Sequence, residues 1–597
     1  MRIPLALTSA RLVLLVVILA CGVAAPLLGP AYQSQLTELL LFIVFALAWD
    51  LVGGQMGYNS FGNVLFVGVG MYVSAIVQVG LFYDVGLYTE AKGGGTEFVF
   101  DASQFLTGQA LGLPAAAAAS ALVAWLLGSL VLSMRGHYFA ICTLGLGLAA
   151  GQVAAGIPWI GAGSGMLTPN PPATLGDVGL LLYYLALGLA LSCTLVFAWL
   201  LSTRFGLALN AIRDDEDKAE AMGLRVHAAK VTAWVIAAGF LGAAGAIYGN
   251  LVRFIDPTET AFAGATIGVW MILMALLGGQ GTLLGPIVGA IVFQLTKELF
   301  WTYLLGWQRV ALGVLIVAVT VFFPAGIVGF GGKARHRVGG GGCVCQGALP
   351  MSAMLELAHV TKAFDGVVAN DEVSLSVKQG AIVGLIGPNG SGKTSLFNAI
   401  TGAFPIDAGS IHFNGVEISK LLAGEIARAG IIRTFQVPRI YQRMSAHANL
   451  LISASIRTAS FARLFRRARS EVDAHACELL DFVGLAEKCD VLAGDLSFGQ
   501  QKLLELAMAL INDPAMLLLD EPTAGINQVL IESLIDRLKA ANRTRGLTLL
   551  VIEHNMPVIM GLAEHIYCLA HGRLLAEGPP QTIRRDAKVL DAYLGAA

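Results

Sequence analysis

Along the first 330 residues, apolar positions run on in long blocks, and polar side chains gather mainly in the gaps between them. A helix that crosses a bilayer needs about 17–25 predominantly apolar residues. Ten stretches meet or approach that length: 11–29, 36–53, 61–80, 108–132, 138–157, 178–201, 230–250, 264–279, 283–303 and 309–330. The pattern predicts an all-α polytopic membrane domain of about ten transmembrane helices over residues 1–330, with the short 264–279 and the glycine-rich 61–80 as candidates for re-entrant segments. Further on the pattern changes scale. Apolar runs shrink to short blocks such as 381–386 and 515–519, which suit buried strands, and stretches of helical character follow them. Residues 354–597 therefore read as a separate α/β domain. Between the two lies 331–353, where four consecutive glycines, Gly339 to Gly342, and little apolar periodicity predict a flexible linker. Met351 and Met354 sit where a free-standing soluble chain would begin, which suggests a fusion of two once-separate proteins.

Charge follows the same division. Residues 1–330 hold 12 Lys/Arg and 15 Asp/Glu, whereas the shorter stretch 331–597 holds 26 and 25. The whole chain is 13% charged and 56% hydrophobic, with a mean hydropathy of +0.72. Soluble globular proteins carry about 25% charge, so an ordinary soluble enzyme is excluded, and the two parts face different solvents, lipid and water. A net charge of −2 argues against nucleic acid as a ligand, since phosphate backbones call for a basic excess. The eight cysteines are scattered, and Cys21, Cys142 and Cys193 fall in apolar runs, as buried thiols do. Cys343 and Cys345 form a lone C-x-C among glycines, which without further ligands nearby reads as incidental.

Lys and Arg set the orientation. The loop 202–229 carries Arg204, Arg213, Lys218 and Arg225 and is expected to be cytoplasmic. The loop 81–107 carries Asp84, Glu90, Glu97 and Asp101 against Lys92 alone, and 158–177 has no Lys or Arg, so both are expected outside. Four further crossings return the chain to the cytoplasm at Lys333, Arg335 and Arg337. Arg2 and Arg11 before the first apolar run resemble a signal peptide, and 18–21 a lipoprotein box; Leu19 fits that box poorly and nine apolar segments follow, so a retained helix is expected. Gly53, Gly54, Gly62, Gly68, Gly70, Gly145, Gly147 and Gly151 read first as close helix packing and second as broken helices along a solute path. Glu38, Asp50 and Glu298 fall within or beside apolar spans, where a carboxylate is either functional or a snorkelling end residue.

Chemistry gathers in the second part. The apolar run 381–386 feeds Gly387-Pro388-Asn389-Gly390-Ser391-Gly392-Lys393-Thr394, and a helical stretch follows from Ser395. This is G-x-x-x-x-G-K-[ST] in its strand–loop–helix setting. Glycines let backbone N–H groups converge on phosphate oxygens at the positive end of a helix. Lys393 is then expected to reach the β- and γ-phosphates and Thr394 to bind Mg²⁺. A second run, 515–519, ends in Asp520 and Glu521. Asp520 suits the hydration shell of the magnesium ion, and Glu521 the general base that polarises the attacking water.

Between these motifs stands Leu496-Ser497-Phe498-Gly499-Gln500-Gln501-Lys502, which resembles the L-S-G-G-Q signature of ATP-binding-cassette proteins. The resemblance implies an α/β P-loop ATPase that binds ATP and Mg²⁺. It also implies further roles: Phe364 as the aromatic that stacks on adenine, Gln436 as the Q-loop residue near the metal and the attacking water, and His554 as the switch histidine at the γ-phosphate. Two departures, Phe498 for the first signature glycine and Ala524-Gly525-Ile526-Asn527 for the usual S-A-L-D, are similar to the ATPase subunits of branched-chain amino-acid importers. So are 576–579 and the end at 591–595. In the membrane half, 135–145 and 204–223 resemble one permease of the same importers, and the acidic cluster Asp214 to Asp217 is then expected in the coupling helix that docks on the ATPase.

What the resemblance implies is a fused permease and ATPase of the bacterial inner membrane, its ATPase in the cytoplasm, importing branched-chain or hydrophobic amino acids by alternating access. Two cassettes would sandwich each ATP between Lys393 of one and Ser497, Gly499 and Gln500 of the other. The implied partners are a second permease and a second ATPase subunit, or a second copy of the chain, with an external solute-binding protein. Import of urea, short amides or aromatic acids is the nearest alternative. An exporter is less favoured because exporters usually have six long helices, and an ATP-gated channel stands as a different class.

Overall fold

Long apolar blocks fold as helices because hydrocarbon offers no water to the backbone, so each N–H and C=O must be satisfied within its own segment. The structure, a computed structural model, describes residues 22–27, 29–92, 98–222, 224–303, 310, 313–314, 353–364, 366–454, 464–465 and 470–594. Among these, six helices are long and apolar enough to cross a membrane: Gln33–Gln55, Ala102–Val131, His137–Ala155, Val178–Leu201, Val226–Val252 and Pro257–Gly278. They coincide with six of the ten expected spans. The count of ten is not reached among the described residues. The stretch 61–80 gives a shorter apolar helix, Val64–Gly80, and 283–303 gives Leu284–Tyr303, which carries Lys297 and Glu298. Of the span 11–29 only residues 22–27 and 29 are described, and of 309–330 only 310, 313 and 314. Cys21, Glu97, the linker 331–353 up to its last residue, Cys343, Cys345 and the basic residues Lys333, Arg335 and Arg337 lie outside the described residues.

Contacts divide the chain into two compact units, Met1–Leu209 with His227–Lys333, and Asn210–Val226 with Ala334–Ala597. In the first, helices meet at small residues. A Cβ on Gly70 would come within 2.1 Å of the Gly242 carbonyl oxygen, so Val64–Gly80 and Val226–Val252 touch backbone to backbone. Lipid gives helices no hydrophobic reason to associate, and close approach of this kind supplies dispersion contact instead. Two helices are interrupted by widened turns, Leu51–Gln55 after Gln33–Asp50, and Pro257–Ala261 with Gly264–Gly268 before Val269–Gly278. The three carboxylates noted in apolar spans all have protein partners. Asp50 Oδ1 accepts the Gly281 N–H at 2.7 Å, Glu38 Oε1 pairs with Lys297 Nζ at 2.5 Å, and Glu298 Oε1 accepts from Gln294 Nε2 at 3.2 Å. Strand β1 (Met166–Leu167), just after the Gly161–Gly165 turn, pairs antiparallel with β2 (Phe254–Ile255).

The second unit is built on two sheets. Strands β3 (Ala353–Phe364), β4 (Val367–Lys378), β6 (Ala408–Phe413) and β7 (Val416–Glu417) form an antiparallel sheet in the order β4-β3-β6-β7. Strands β5 (Ile382–Ile386), β8 (Ile431–Arg433), β9 (Met516–Asp520), β10 (Thr548–Ile552), β11 (His565–Ala570) and β12 (Arg573–Gly578) form the other, ordered β12-β11-β5-β10-β9-β8. All neighbours in it run parallel except β12, which lies antiparallel to β11. Strands β5, β9 and β10 are buried along their whole length. That burial is why they read as unbroken apolar runs without alternation. Each buried Leu or Ile contributes roughly 1.5–3 kcal/mol, so Leu517 to Leu519 anchor the strand that ends in Asp520.

Candidate active site

A parallel sheet delivers its chemistry at the carboxyl ends of its strands, where the loops gather. Here the loop after β5 holds 387–392, β9 ends in Asp520 and runs into Glu521, β8 leads to Gln436, and β10 leads to His554. Residues scattered from Gly387 to His554 thus come to one edge because β5, β10, β9 and β8 are successive neighbours.

The loop itself turns on glycine. Gly392 has φ +94, and a Cβ there would lie 2.2 Å from the Ala369 carbonyl oxygen. Asn370, fully buried, donates from Nδ2 to the Gly392 carbonyl at 3.1 Å, and the Gly387 N–H donates to the Tyr593 hydroxyl at 2.7 Å. Ser391 is buried, whereas Asn389, Gly390 and Thr394 are exposed. Lys393 Nζ donates to the carbonyls of Gly387 and Pro388, each at 2.9 Å, and to Ser391 Oγ at 3.3 Å. Burial pulls the Lys393 ammonium below its ordinary range, and Glu521 and Asp520 pull it back.

Glu521 is the centre of the arrangement. Its Oε2 accepts from Gln436 Nε2 at 2.9 Å, and His554 Nε2 lies 2.8 Å from Oε1. Its backbone stands at φ +48, a region side-chain-bearing residues seldom enter. Two bonds hold it there: its N–H donates to the Ile552 carbonyl at 3.0 Å, and Lys502 Nζ donates to its carbonyl at 2.8 Å. Asp520 is buried, and its Oδ2 accepts from Arg433 Nη2 at 2.7 Å. Ser497, Gly499 and Gln500 lie apart from this cluster, at the start of the helix Phe498–Leu510. Ser497 Oγ accepts the Gln500 N–H at 3.4 Å and Gln500 Oε1 accepts the Ser497 N–H at 3.2 Å, a reciprocal cap at the surface. Phe364, 41% exposed at the end of β3, packs edge-on against Phe404 at 4.9 Å. Among the described residues no hydrogen bond or ion pair joins Phe364, Ser497, Gly499 or Gln500 to Lys393 or Glu521.

The acidic cluster in the 202–229 loop has a place in this unit too. Asp214 Oδ2 accepts the Arg443 N–H at 2.9 Å. Asp215 caps the helix Glu216–Ala221 by accepting the Lys218 N–H at 2.9 Å, and its Oδ1 lies 4.0 Å from Arg439 Nη1. Lys218 Nζ lies 3.7 Å from Met508 Sδ and 5.2 Å over the Tyr441 ring. Burial pushes Lys218 down to about 8, against the pull of Glu505 and Asp215.

Comparison with known proteins adds the family. A model described as the permease component of a branched-chain amino acid transport system matches residues 32–320. An ABC transporter model matches 370–524, and a branched-chain amino acid ATP-binding cassette transporter model matches 573–597. The high-affinity branched-chain amino acid transport ATP-binding protein BraF of Pseudomonas aeruginosa is 38% identical over 251 residues, covering 41% of this chain and 98% of its own. LivG of Escherichia coli K12, of the same description, is 36% identical over 251 residues, again 41% of this chain and 98% of its own. The chain belongs to the ATP-binding-cassette transporters of branched-chain amino-acid transport. Permease and ATPase are fused in one polypeptide. A solved structure, the ADP conformation of MJ1267, an ATP-binding cassette of an ABC transporter, is 32% identical over 41% of this chain and all of its own length, with a TM-score of 0.38.

The cassette also uses residues that the motifs did not single out. Arg433, Lys502 and Glu553 hold Asp520, the Glu521 carbonyl and Thr523 respectively. Arg433 closes the short apolar strand β8 three residues before Gln436, and a charge at that strand end is its one local signal. Lys502 ends the signature stretch, which does not show its bond to the Glu521 carbonyl, and nothing local marks Glu553.

Proposed function

We propose that this chain imports branched-chain and other hydrophobic amino acids across a bacterial inner membrane, driven by ATP hydrolysis in its own cassette on the cytoplasmic side. One observation carries the reading: the cluster of Gln436 and His554 on Glu521 occurs in the same polypeptide as a branched-chain amino-acid permease sequence. In this division residues 1–330 act as permease, 331–353 as linker and 354–597 as cassette. Components of such transporters generally dimerise and work with a substrate-binding protein. The partners proposed here are a second permease and a second ATPase, or a second copy of the chain, and an external solute-binding protein.

In the nucleotide site, the N–H groups of 387–392 cradle phosphate oxygens and Lys393, released from its loop carbonyls, meets the β- and γ-phosphates. Phe364 stacks on adenine with its exposed face. Glu521 takes the proton of the attacking water, Gln436 orients that water, and His554 bonds the γ-phosphate. Ser497, Gly499 and Gln500, capped and facing outward, meet the ATP held by the partner cassette. The Thr394 hydroxyl, the Asp520 carboxylate and the Gln436 amide oxygen are the oxygen ligands that a hard divalent cation takes, so these residues would hold Mg²⁺. Mg²⁺ bound there neutralises charge on the transferring phosphoryl group. The segment 214–223 acts as the coupling helix.

The test is uptake of labelled leucine, with urea in parallel, by cells carrying Glu521→Gln in place of the parent gene and all neighbouring genes intact. Loss of leucine uptake supports the proposal. Loss of urea uptake alone would keep the machine and change its cargo. Unchanged uptake of both would overturn the import reading and bring the exporter forward.

A further inference from the structure

Glu505 has no part in the chemistry above, yet it stands where two elements meet. It lies within the helix Phe498–Leu510 and is 6% exposed. Its Oε1 accepts the Arg439 N–H at 3.1 Å and the Phe435 N–H at 3.4 Å. These two donors flank Gln436, the residue that donates to Glu521. The second element is the segment Asn210–Val226. Its Lys218 is 2% exposed and reaches Met508, one turn beyond Glu505 on the same helix. An ammonium in so dry a place needs an anion. Glu505 and Asp215 favour the Lys218 charge and Arg439 opposes it. In return Lys218, more than Lys502, favours the charged form of Glu505.

We infer that Glu505 is a positioning residue for ATP hydrolysis: with Lys218 seated on Met508 one turn away, its carboxylate holds the backbone on both sides of Gln436 and so sets that amide against Glu521. The inference rests on the reading of 214–223 as the coupling segment and names the groups through which docking is felt. When Lys218 withdraws, the buried carboxylate loses its main compensating charge and takes a proton from solvent. A neutral carboxyl is a weaker acceptor for the Phe435 and Arg439 N–H groups, and the Q-loop loses its mooring. Movement of the permease loop is thereby converted into the position of one side chain at the reacting water.

The test uses the full-length chain with its neighbouring genes intact, measuring ATP hydrolysis in membrane vesicles and leucine uptake in cells. Lys218→Met, Glu505→Gln, the double variant and Lys218→Arg are compared. Glu505→Gln keeps an oxygen acceptor for both N–H groups, so it removes charge without removing the mooring atom. Labelling with a photoreactive ATP analogue checks that every variant still folds and binds nucleotide. Lys218→Met and Glu505→Gln are each expected to lower kcat about tenfold with KM for ATP within about twofold, the double to be no worse than the poorer single, and Lys218→Arg to keep most of the parent kcat. Losses that multiply to about a hundredfold in the double, a change in KM in place of kcat, or the same loss with arginine would overturn the inference. Asp214→Ala separates the two readings. Unchanged leucine uptake in that variant removes the coupling segment and this inference together. Uncoupling by Asp214→Ala alongside multiplying losses at Lys218 and Glu505 removes this inference alone.

Discussion

Glu521 is held in a left-handed backbone conformation by the Ile552 carbonyl on one side and Lys502 on the other. Such a conformation costs of order 1–3 kcal/mol, and it turns the carboxylate toward Gln436 and His554. Glu521→Gln is expected to lower kcat for ATP hydrolysis by about 10²–10⁴ while leaving ATP binding intact, since general-base assistance is the part removed. Steady-state kinetics with a nucleotide-binding assay would check this, and hydrolysis at the parent rate would refute the assigned base. Lys393→Ala is expected to act on the other parameter, raising KM for ATP by removing the phosphate counter-charge. Arg433→Met would leave the buried Asp520 carboxylate without its partner, and breaking such a pair costs about 3–5 kcal/mol. A fall in the thermal unfolding midpoint, together with weaker hydrolysis, is the expected outcome. Of these residues, Lys393, Asp520 and Glu521 were legible from spacing, because strand, loop and helix follow one another without a break. Arg433 and Lys502 act across 87 and 19 positions of sequence, and no local pattern shows which groups they hold.

At the scale of elements, the two units use opposite solutions to burial. The parallel strands are stapled by apolar side chains on both faces, and the membrane helices by the absence of side chains where they cross. Gly242→Leu is expected to push Val226–Val252 away from Ala102–Val131, since a Cβ there would already meet Ser120 Oγ at 2.3 Å and the Ala116 carbonyl at 2.6 Å. The amount of folded, full-length chain in membranes should fall sharply, whereas a leucine at Gly163, where a Cβ meets nothing within 4 Å, should leave it unchanged. Six of the spans were readable because hydropathy and length set them. The widened turns at Leu51–Gln55 and Pro257–Gly268 were not, because composition averages over a break in the hydrogen-bond ladder that only neighbouring helices can sustain.

At the scale of the molecule, the ATPase unit incorporates a piece of the permease loop, Asn210–Val226, and with it a buried acid and a buried base from opposite parts of the chain. Burial raises Glu505 from 4.5 to about 7, with Lys218, the Phe435 and Arg439 N–H groups and Lys502 opposing the rise. Between those values the folded protein binds the proton that the unfolded chain has released. The contribution of Glu505 to stability therefore decreases as pH rises from about 4.5 to about 7. Comparing unfolding midpoints of the parent and Glu505→Gln across that window should show the parent losing stability, relative to the variant, as pH rises. A constant difference between the two would contradict the shift. The sequence by itself determined a lipid-facing half, a water-facing half, the phosphate loop and the acidic strand end, because each depends on residues adjacent in the chain or on composition over a span. Tertiary structure alone decided that Lys218 lies against Met508, 290 positions away, and that Gln436 and His554 converge on one carboxylate. Those meetings depend on the order in which strands pair and on which loop settles on which helix, and neither is encoded in any local period of the chain.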